Sequence, residues 1–169
     1  KGLEDVIKEV KPDIILVHGD TTTTFAGALA AFYQQVAVGH VEAGLRTYNK
    51  YSPFPEEMNR QFVGIVSDMN FAPTERSKNN LLREGKKEET IYVTGNTAID
   101  ALNLTVDEEY SDEITEWIGD DRLIVLTAHR RENLGEPMYR MFKAIRRIID
   151  KYDDVKMVYP VHLNPLVVK

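Results

Sequence analysis

Apolar residues along the chain follow two patterns, short continuous runs and stripes with helical spacing. The runs predict buried parallel strands at residues 13–18, 36–41, 69–71, 91–93, 123–127 and 155–159. The stripes, together with capping residues, predict helices at 1–10, 21–35, 56–66, 74–85, 97–104 and 138–149. Because strands and helices alternate, we expect an α/β fold with right-handed strand–helix–strand units. The pattern indicates two α/β layers joined near residue 95, the second incomplete.

Three segments carry more specific expectations. In the helix at 56–66, Met58, Phe62 and Ile65 are spaced to form one apolar face. The acidic segment 107–121 is typical of a solvated surface, anchored by Trp117 and Ile118. The chain starts with lysine inside a helical stripe and stops soon after its last predicted strand. We therefore expect an internal part of a longer protein.

Composition narrows the class of protein. The 169 residues are 43% hydrophobic and 28% charged, as in ordinary globular proteins. The net charge of -6 argues against a nucleic-acid partner. The absence of cysteine excludes disulfides, thiolate metal sites and a cysteine nucleophile. No apolar stretch is long enough to cross a bilayer and no signal peptide is recognisable, so we expect a cytoplasmic protein.

The stretch 36–60 concentrates polar chemistry at the end of a predicted strand. Glu42 falls where the strand should stop, and a proline-rich loop leads on to further polar residues, namely Arg46, Glu56, Glu57, Asn59 and Arg60. Ligands of open α/β sheets bind beyond the carboxyl ends of the strands, so the cluster predicts a binding site. Any one of these charges alone would be better read as an ordinary surface ion pair.

Two further strand ends carry candidate residues. Asp20 follows the first strand beside a helix N-terminus, where its position alone favours a simple helix cap. His129 follows the fifth strand together with Arg130 and Arg131, a set suited to holding a phosphate. An interface ion-pair cluster explains that second set equally well.

The remaining histidines do not indicate a metal centre. His18 and His40 lie within predicted strands, and we expect both to be packed, hydrogen-bonded core residues. The HGD sequence at 18–20 is faintly similar to metallophosphatases, but no second histidine–carboxylate cluster with suitable spacing accompanies it. We predict no metal site.

Six motifs in linked order carry a family resemblance. HGDTTTT, GHVEAGLRT, SPFPEEMNR, VTGNTAID, TAHRREN and HLNP resemble the UDP-N-acetylglucosamine 2-epimerase family over essentially the whole chain. The resemblance implies two Rossmann-like domains of GT-B type with the site in the cleft between them. Residues 1–95 would be the C-terminal part of the first domain, and residues 96–169 the N-terminal part of the second.

The resemblance also implies a chemistry and roles for residues. The family is thought to eliminate UDP across C1–C2 to give 2-acetamidoglucal, and to add UDP back with the opposite C2 configuration, without metal or redox cofactor. The matching carboxylates are Asp20, Glu42 and Glu56, any of which could be the base, and His129 matches the histidine beside the leaving phosphate. Four residues match substrate-binding positions: Arg46, Asn59, Arg60 and Arg131. Arg130 and His162 match positions that contact a second, activating UDP-N-acetylglucosamine in bacterial members.

Three functions remain open. The first is a non-hydrolysing epimerase that supplies UDP-N-acetylmannosamine for cell-surface polysaccharide, and Arg130 with His162 favours it. The second is the hydrolysing relative, which releases UDP and N-acetylmannosamine. The third is a non-catalytic nucleotide-sugar-binding fragment. We expect the full-length protein to be a homodimer and the 169-residue piece to be inactive alone.

Overall fold

The computed structural model describes residues 2–107, 109–129, 133–163 and 165. The chain divides into two compact units, Lys1–Val106 and Asp107–Lys169. The first unit contains α1 (Gly2–Val10), β1 (Ile14–His18), α2 (Thr22–Tyr33), β2 (Ala37–Val41), α3 (Glu56–Val66), β3 (Met69–Ala72), α4 (Glu75–Arg83), a 3-10 turn (Glu88–Thr90), β4 (Ile91–Val93) and α5 (Thr97–Thr105). The second unit contains α6 (Glu113–Ile118), β5 (Arg122–Val125), α7 (Glu136–Ile149) and β6 (Val155–Val158). The predicted domain boundary at residue 95 stays a prediction, because these units describe this chain and not complete domains.

Both sheets are parallel, as predicted. The first unit has four strands in the order β1-β2-β3-β4, and the second pairs β5 with β6. In the first sheet His18 is in register with Val41, and Val41 with Phe71, so these strands end at one edge. That edge is where an open α/β sheet binds ligands.

Small side chains let α2 pack tightly on the first sheet. Ala28 and Ala31 are completely buried against Val17, Val38 and Val63. A second core cluster joins Ala43, Ala72, Leu81 and Ile91. Because alanines keep the helix close to the strands, the chain segments at the helix N-terminus and the strand ends are held near one another.

The apolar face predicted for α3 is not its buried face. Phe62 and Ile65 are 42% and 73% exposed, while Glu57, Asn59 and Val63 are buried. Spacing alone gave an apolar stripe, but the first turn of α3 is held by the Thr47 and Tyr48 amides of the preceding loop, which donate to the Glu57 carboxylate. Those bonds rotate the polar side of the helix toward the sheet edge.

The second unit differs from its prediction in two ways. The acidic segment contains a helix, α6, that begins with a capping box between Asp112 and Thr115. Ile118 is buried as expected, whereas Trp117 is 53% exposed. The predicted buried strand β5 is largely exposed, because the two strands described in this unit cannot cover both of their faces.

No helix in the described part of the chain has the length and apolar character needed to cross a membrane.

Candidate functional site

The edge at which β1 and β2 end brings Asp20 and Glu42 to the same region. The Gly19 amide donates to the Val41 carbonyl (3.0 Å), tying the two strand ends together. Gly19 has a φ of +74°, and a Cβ there would lie 3.4 Å from Oε2 of Glu42. Glycine is therefore favoured here by the left-handed turn, and the Glu42 carboxylate lies directly beside it.

Asp20 is held by two neighbouring residues of α3. The Arg60 guanidinium forms an ion pair with the Asp20 carboxylate, and the Asn59 side-chain amide donates to the Asp20 carbonyl (2.9 Å). The capping role suggested by the position of Asp20 is wrong, since Thr21 caps α2 by accepting from the Thr24 amide. The Asp20 side chain is thereby left to Arg60 and to any ligand at this edge.

Glu57 anchors this arrangement from inside the protein. Its buried carboxylate accepts from the Thr47 amide (3.1 Å), the Tyr48 amide (3.0 Å) and the Gln61 side chain (2.9 Å). Its Oε2 also lies 3.5 Å from Nη1 of Arg60. Burial by itself raises the pKa of Glu57, but these donors outweigh it and hold the pKa below the ordinary value. Glu57 is therefore a buried, ionised carboxylate. It holds Arg60 in position, and Arg60 in turn holds Asp20.

Sequence reasoning included Glu57 in the predicted polar cluster but assigned it no individual role. The EE pair offered two equivalent carboxylates, and only the direction in which each side chain points separates them. Glu56 is half-buried in the first turn of α3 and has no hydrogen-bond or ion-pair partner among the described residues. Glu56 is thus the member of the pair left to interact with a ligand.

The position of His18 was mispredicted, since it is not a core residue. Its side chain is 59% exposed, and its Nε2 lies 4.0 Å from Oε2 of Glu42 and 3.5 Å from the Thr97 hydroxyl. Side chains alternate along a strand, and because Val17 faces the core, His18 must face away from it. That alternation was the available signal for its exposure, and the structure places His18 beside Glu42.

His40, by contrast, is the core histidine that was predicted. It is 1% exposed, and its Nε2 lies 2.8 Å from the Gly19 carbonyl. Burial lowers the pKa of His40 to about 4, so the ring is neutral at pH 7 and Nε2 donates to that carbonyl. The histidine thus supports the turn that carries Asp20.

Arg46 lies apart from the ion pair between Asp20 and Arg60. Its side chain is fully buried and forms a bidentate salt bridge with Glu84, in which Nε and Nη2 each donate to one carboxylate oxygen at 2.7 Å. Its remaining terminal nitrogen donates to the Leu45 carbonyl (2.8 Å). A substrate-binding role for Arg46 stays a prediction, and in this chain its guanidinium orders the loop after β2.

In the second unit two predicted residues lie together. The His129 and His162 rings stack with centroids 5.0 Å apart and planes at 24°. The Tyr159 hydroxyl donates to the Ala128 carbonyl (2.7 Å), fixing the segment before His129. Arg130 and Arg131 fall outside the described residues.

The arrangement can transfer protons and hold an anion. Carboxylates at adjacent strand ends, with an exposed histidine beside them, are groups that accept and return protons. Arginine and histidine are the side chains that stabilise a departing phosphate. Among the described residues, no cluster of three or more histidine, aspartate or glutamate side chains could hold a metal ion.

Comparisons with known proteins converge on one family. The family profile described as "UDP-N-acetylglucosamine 2-epimerase" matches residues 1–169. The Bacillus subtilis protein named UDP-N-acetylglucosamine 2-epimerase is 67% identical over 98% of this chain and 43% of its own length. The chain thus spans less than half the length of that relative.

Solved structures agree with the fold. A co-structure of Staphylococcus aureus MnaA with UDP matches with a TM-score of 0.97 and 60% identity, over 99% of this chain and 46% of the other. A Neisseria meningitidis UDP-GlcNAc 2-epimerase bound to UDP-GlcNAc matches with a TM-score of 0.88 and 48% identity, over 98% of this chain and 47% of the other. The predicted fold class, parts of two Rossmann-like domains of GT-B type, is confirmed.

Proposed function

The chain belongs to the UDP-N-acetylglucosamine 2-epimerase family, and we propose that the complete protein interconverts UDP-N-acetylglucosamine and UDP-N-acetylmannosamine. The proposed reaction eliminates UDP to give 2-acetamidoglucal and then adds UDP back. The observation that carries the proposal is the placing of Asp20 and Glu42 at adjacent strand ends, with Arg60 holding the first.

The substrate explains why carboxylates are needed. The hydrogen on C2 is not adjacent to a carbonyl, so simple enolisation is not available. In the elimination, a carboxylate takes the C2 proton, the C1–C2 double bond forms, and the C1–O bond breaks with its electron pair leaving on UDP. In the return step, a UDP oxygen bonds to C1 and a proton reaches C2 from the opposite face. Two acid–base groups on different sides of C2 satisfy this requirement.

Three carboxylates supply these groups in our proposal. Asp20 and Glu42 lie at the sheet edge, and Glu56 joins them from the start of α3. Arg60 and Asn59 fix Asp20, and their own positions depend on α3. A base that is held in place reacts faster because its orientation is settled before the substrate arrives.

The departing diphosphate requires positive or donor groups of its own. We assign His129 to the leaving phosphate and Arg131 to substrate binding, as the motifs imply. The buried Arg46 would act indirectly, by ordering the loop after β2. Relatives support a UDP ligand, since the S. aureus structure contains UDP and a Methanocaldococcus jannaschii structure contains both UDP-GlcNAc and UDP. Arg130 and His162 would contact a second, activating UDP-N-acetylglucosamine.

The cellular setting is part of the same proposal. UDP-N-acetylmannosamine is a precursor for cell-surface polysaccharide, and nucleotide sugars are made in the cytoplasm, where we place the protein. The full-length protein would act as a homodimer, and its chemistry would require no metal or redox cofactor.

Turnover in D2O tests the mechanism. If an exchangeable side chain takes the C2 proton, the UDP-N-acetylmannosamine product should carry deuterium at C2, measured by NMR and mass spectrometry. Glu42→Gln, Glu56→Gln and Asp20→Asn in the full-length protein should each suppress both deuterium uptake and the slow release of 2-acetamidoglucal. Glu9→Gln, an exposed carboxylate on α1, is the matched control and should behave as wild type.

Two outcomes would contradict the proposal. Product that keeps its original C2 hydrogen would exclude elimination by an exchangeable base. Stoichiometric release of free N-acetylmannosamine and UDP would identify the hydrolysing reaction in its place.

A further inference from the structure

A polar cavity of about 610 Å³ lies in the first unit between α4 and the loop after β2. We call it the arginine cavity; its lining residues are Arg46, Thr47 and Tyr48 from the loop and Arg76, Asn79, Asn80 and Arg83 from α4. Its volume is in the range of small-molecule sites. None of the proposed catalytic carboxylates lines it.

The sequence of α4 directs its arginines into this cavity. Arg76, Asn79 and Arg83 occupy positions i, i+3 and i+7 and therefore share one side of the helix. The other side carries Ser77 and Leu81, which are buried. Because Leu81 and its neighbours fix the rotation of α4, the arginine side is held toward the loop.

The charges of Arg76 and Arg83 are not compensated within the described part of the chain. Neither arginine has an ion-pair or hydrogen-bond partner among the described residues. Arg46, which also lines the cavity, instead forms a bidentate salt bridge with Glu84. Both arginines are exposed, so water solvates their charges when no ligand is bound, and both are available to an anion that enters the cavity.

We propose that the arginine cavity binds a phosphate-bearing small molecule. Guanidinium groups match phosphate oxygens with paired hydrogen bonds, and the Asn79 amide adds a further donor. The cavity is larger than one phosphate group requires, and the Tyr48 side chain offers a ring and a hydroxyl to the rest of the ligand. This proposal does not depend on the function proposed above.

The cavity also contacts a segment that the candidate site uses. The amides of Thr47 and Tyr48 donate to the Glu57 carboxylate, while the same two residues line the cavity. A ligand in the cavity therefore contacts the loop that Glu57 holds.

Equilibrium dialysis with radiolabelled pyrophosphate on the full-length protein tests the proposal. The double variant Arg76→Gln/Arg83→Gln should lose one bound pyrophosphate per chain, or bind it about tenfold more weakly or worse. Any pyrophosphate bound at the candidate catalytic site is retained by both proteins, so the difference reports on the cavity alone. Arg140→Gln/Arg147→Gln on α7 is the matched control, since it removes two arginines at the same helical spacing, and it should bind as wild type.

A milder variant guards against loss of folding. Arg76→Lys/Arg83→Lys keeps both charges and removes the paired hydrogen bonds, so it should fold normally, by circular dichroism, and bind several-fold more weakly. Equal binding by wild type and the glutamine variant would overturn the proposal. Equal losses in the α7 control, or binding by wild type only above about 10 mM, would overturn it as well, since each would indicate nonspecific charge attraction.

Discussion

Replacing Glu57 by glutamine should destabilise the protein far more than the same change at its neighbour Glu56. The two residues are adjacent in the sequence and chemically identical, yet only Glu57 is buried with four partners. A comparison of Glu57→Gln with Glu56→Gln therefore separates a positioning carboxylate from one that faces a ligand.

The magnitude follows from the hydrogen bonds. The Thr47 amide donates to one oxygen of Glu57 and the Tyr48 amide to the other. A glutamine has one oxygen and one NH2 group, so one of these buried amides must face a donor. An unsatisfied buried amide costs about 1–3 kcal/mol, and removing the charge from the remaining bonds and from Arg60 adds about 1 kcal/mol. We expect a loss of about 3 kcal/mol in the free energy of unfolding.

The assay is urea denaturation of the full-length variants, combined with turnover of UDP-N-acetylglucosamine. Glu57→Gln should unfold at clearly lower urea, and its activity should fall because Arg60 and Asp20 lose their support. Glu56→Gln should stay within about 0.5 kcal/mol of wild type in stability, as partly exposed positions usually do, and lose activity. If Glu57→Gln is as stable as wild type, or if both variants are equally destabilised, the reasoning is refuted.

Two further predictions concern the histidines of β1 and β2. Burial lowers the pKa of His40 to about 4, whereas a histidine in the unfolded chain has a pKa near 6.5. As the pH falls, His40 is therefore protonated in the unfolded chain before it is protonated in the folded protein. The resulting stability is fully present above pH 6.5 and is lost as the pH falls toward 4, amounting to about 3 kcal/mol at 1.36 kcal/mol per pKa unit. In urea titrations between pH 4 and 8, wild type should therefore lose about 3 kcal/mol more than His40→Asn; equal losses in the two proteins would contradict the prediction. His18→Gln should lower kcat by about tenfold or more while leaving the thermal midpoint unchanged, because the side chain is exposed beside Glu42; a falling midpoint with normal activity would show that the residue is structural.

The sequence by itself determined the strands, their order and all the helices except α6, which lies in the acidic segment. The apolar runs located the strands, and the helical stripes together with capping residues located most of the helices. These features depend on residues a few positions apart, whose spacing and hydrogen bonding are local. The linked motifs also located the candidate carboxylates, because a strand end is defined along the chain.

Only the tertiary structure decided which way each side chain faces and what it contacts. Glu57 is buried where Glu56 is not, although the two residues are adjacent and chemically identical. The partners concerned are distant in sequence: Asp20 meets Arg60 across 40 residues, and Arg46 meets Glu84 across 38. Strand register and helix rotation, which are set by packing of the whole sheet, fix such pairs, and no local pattern encodes them.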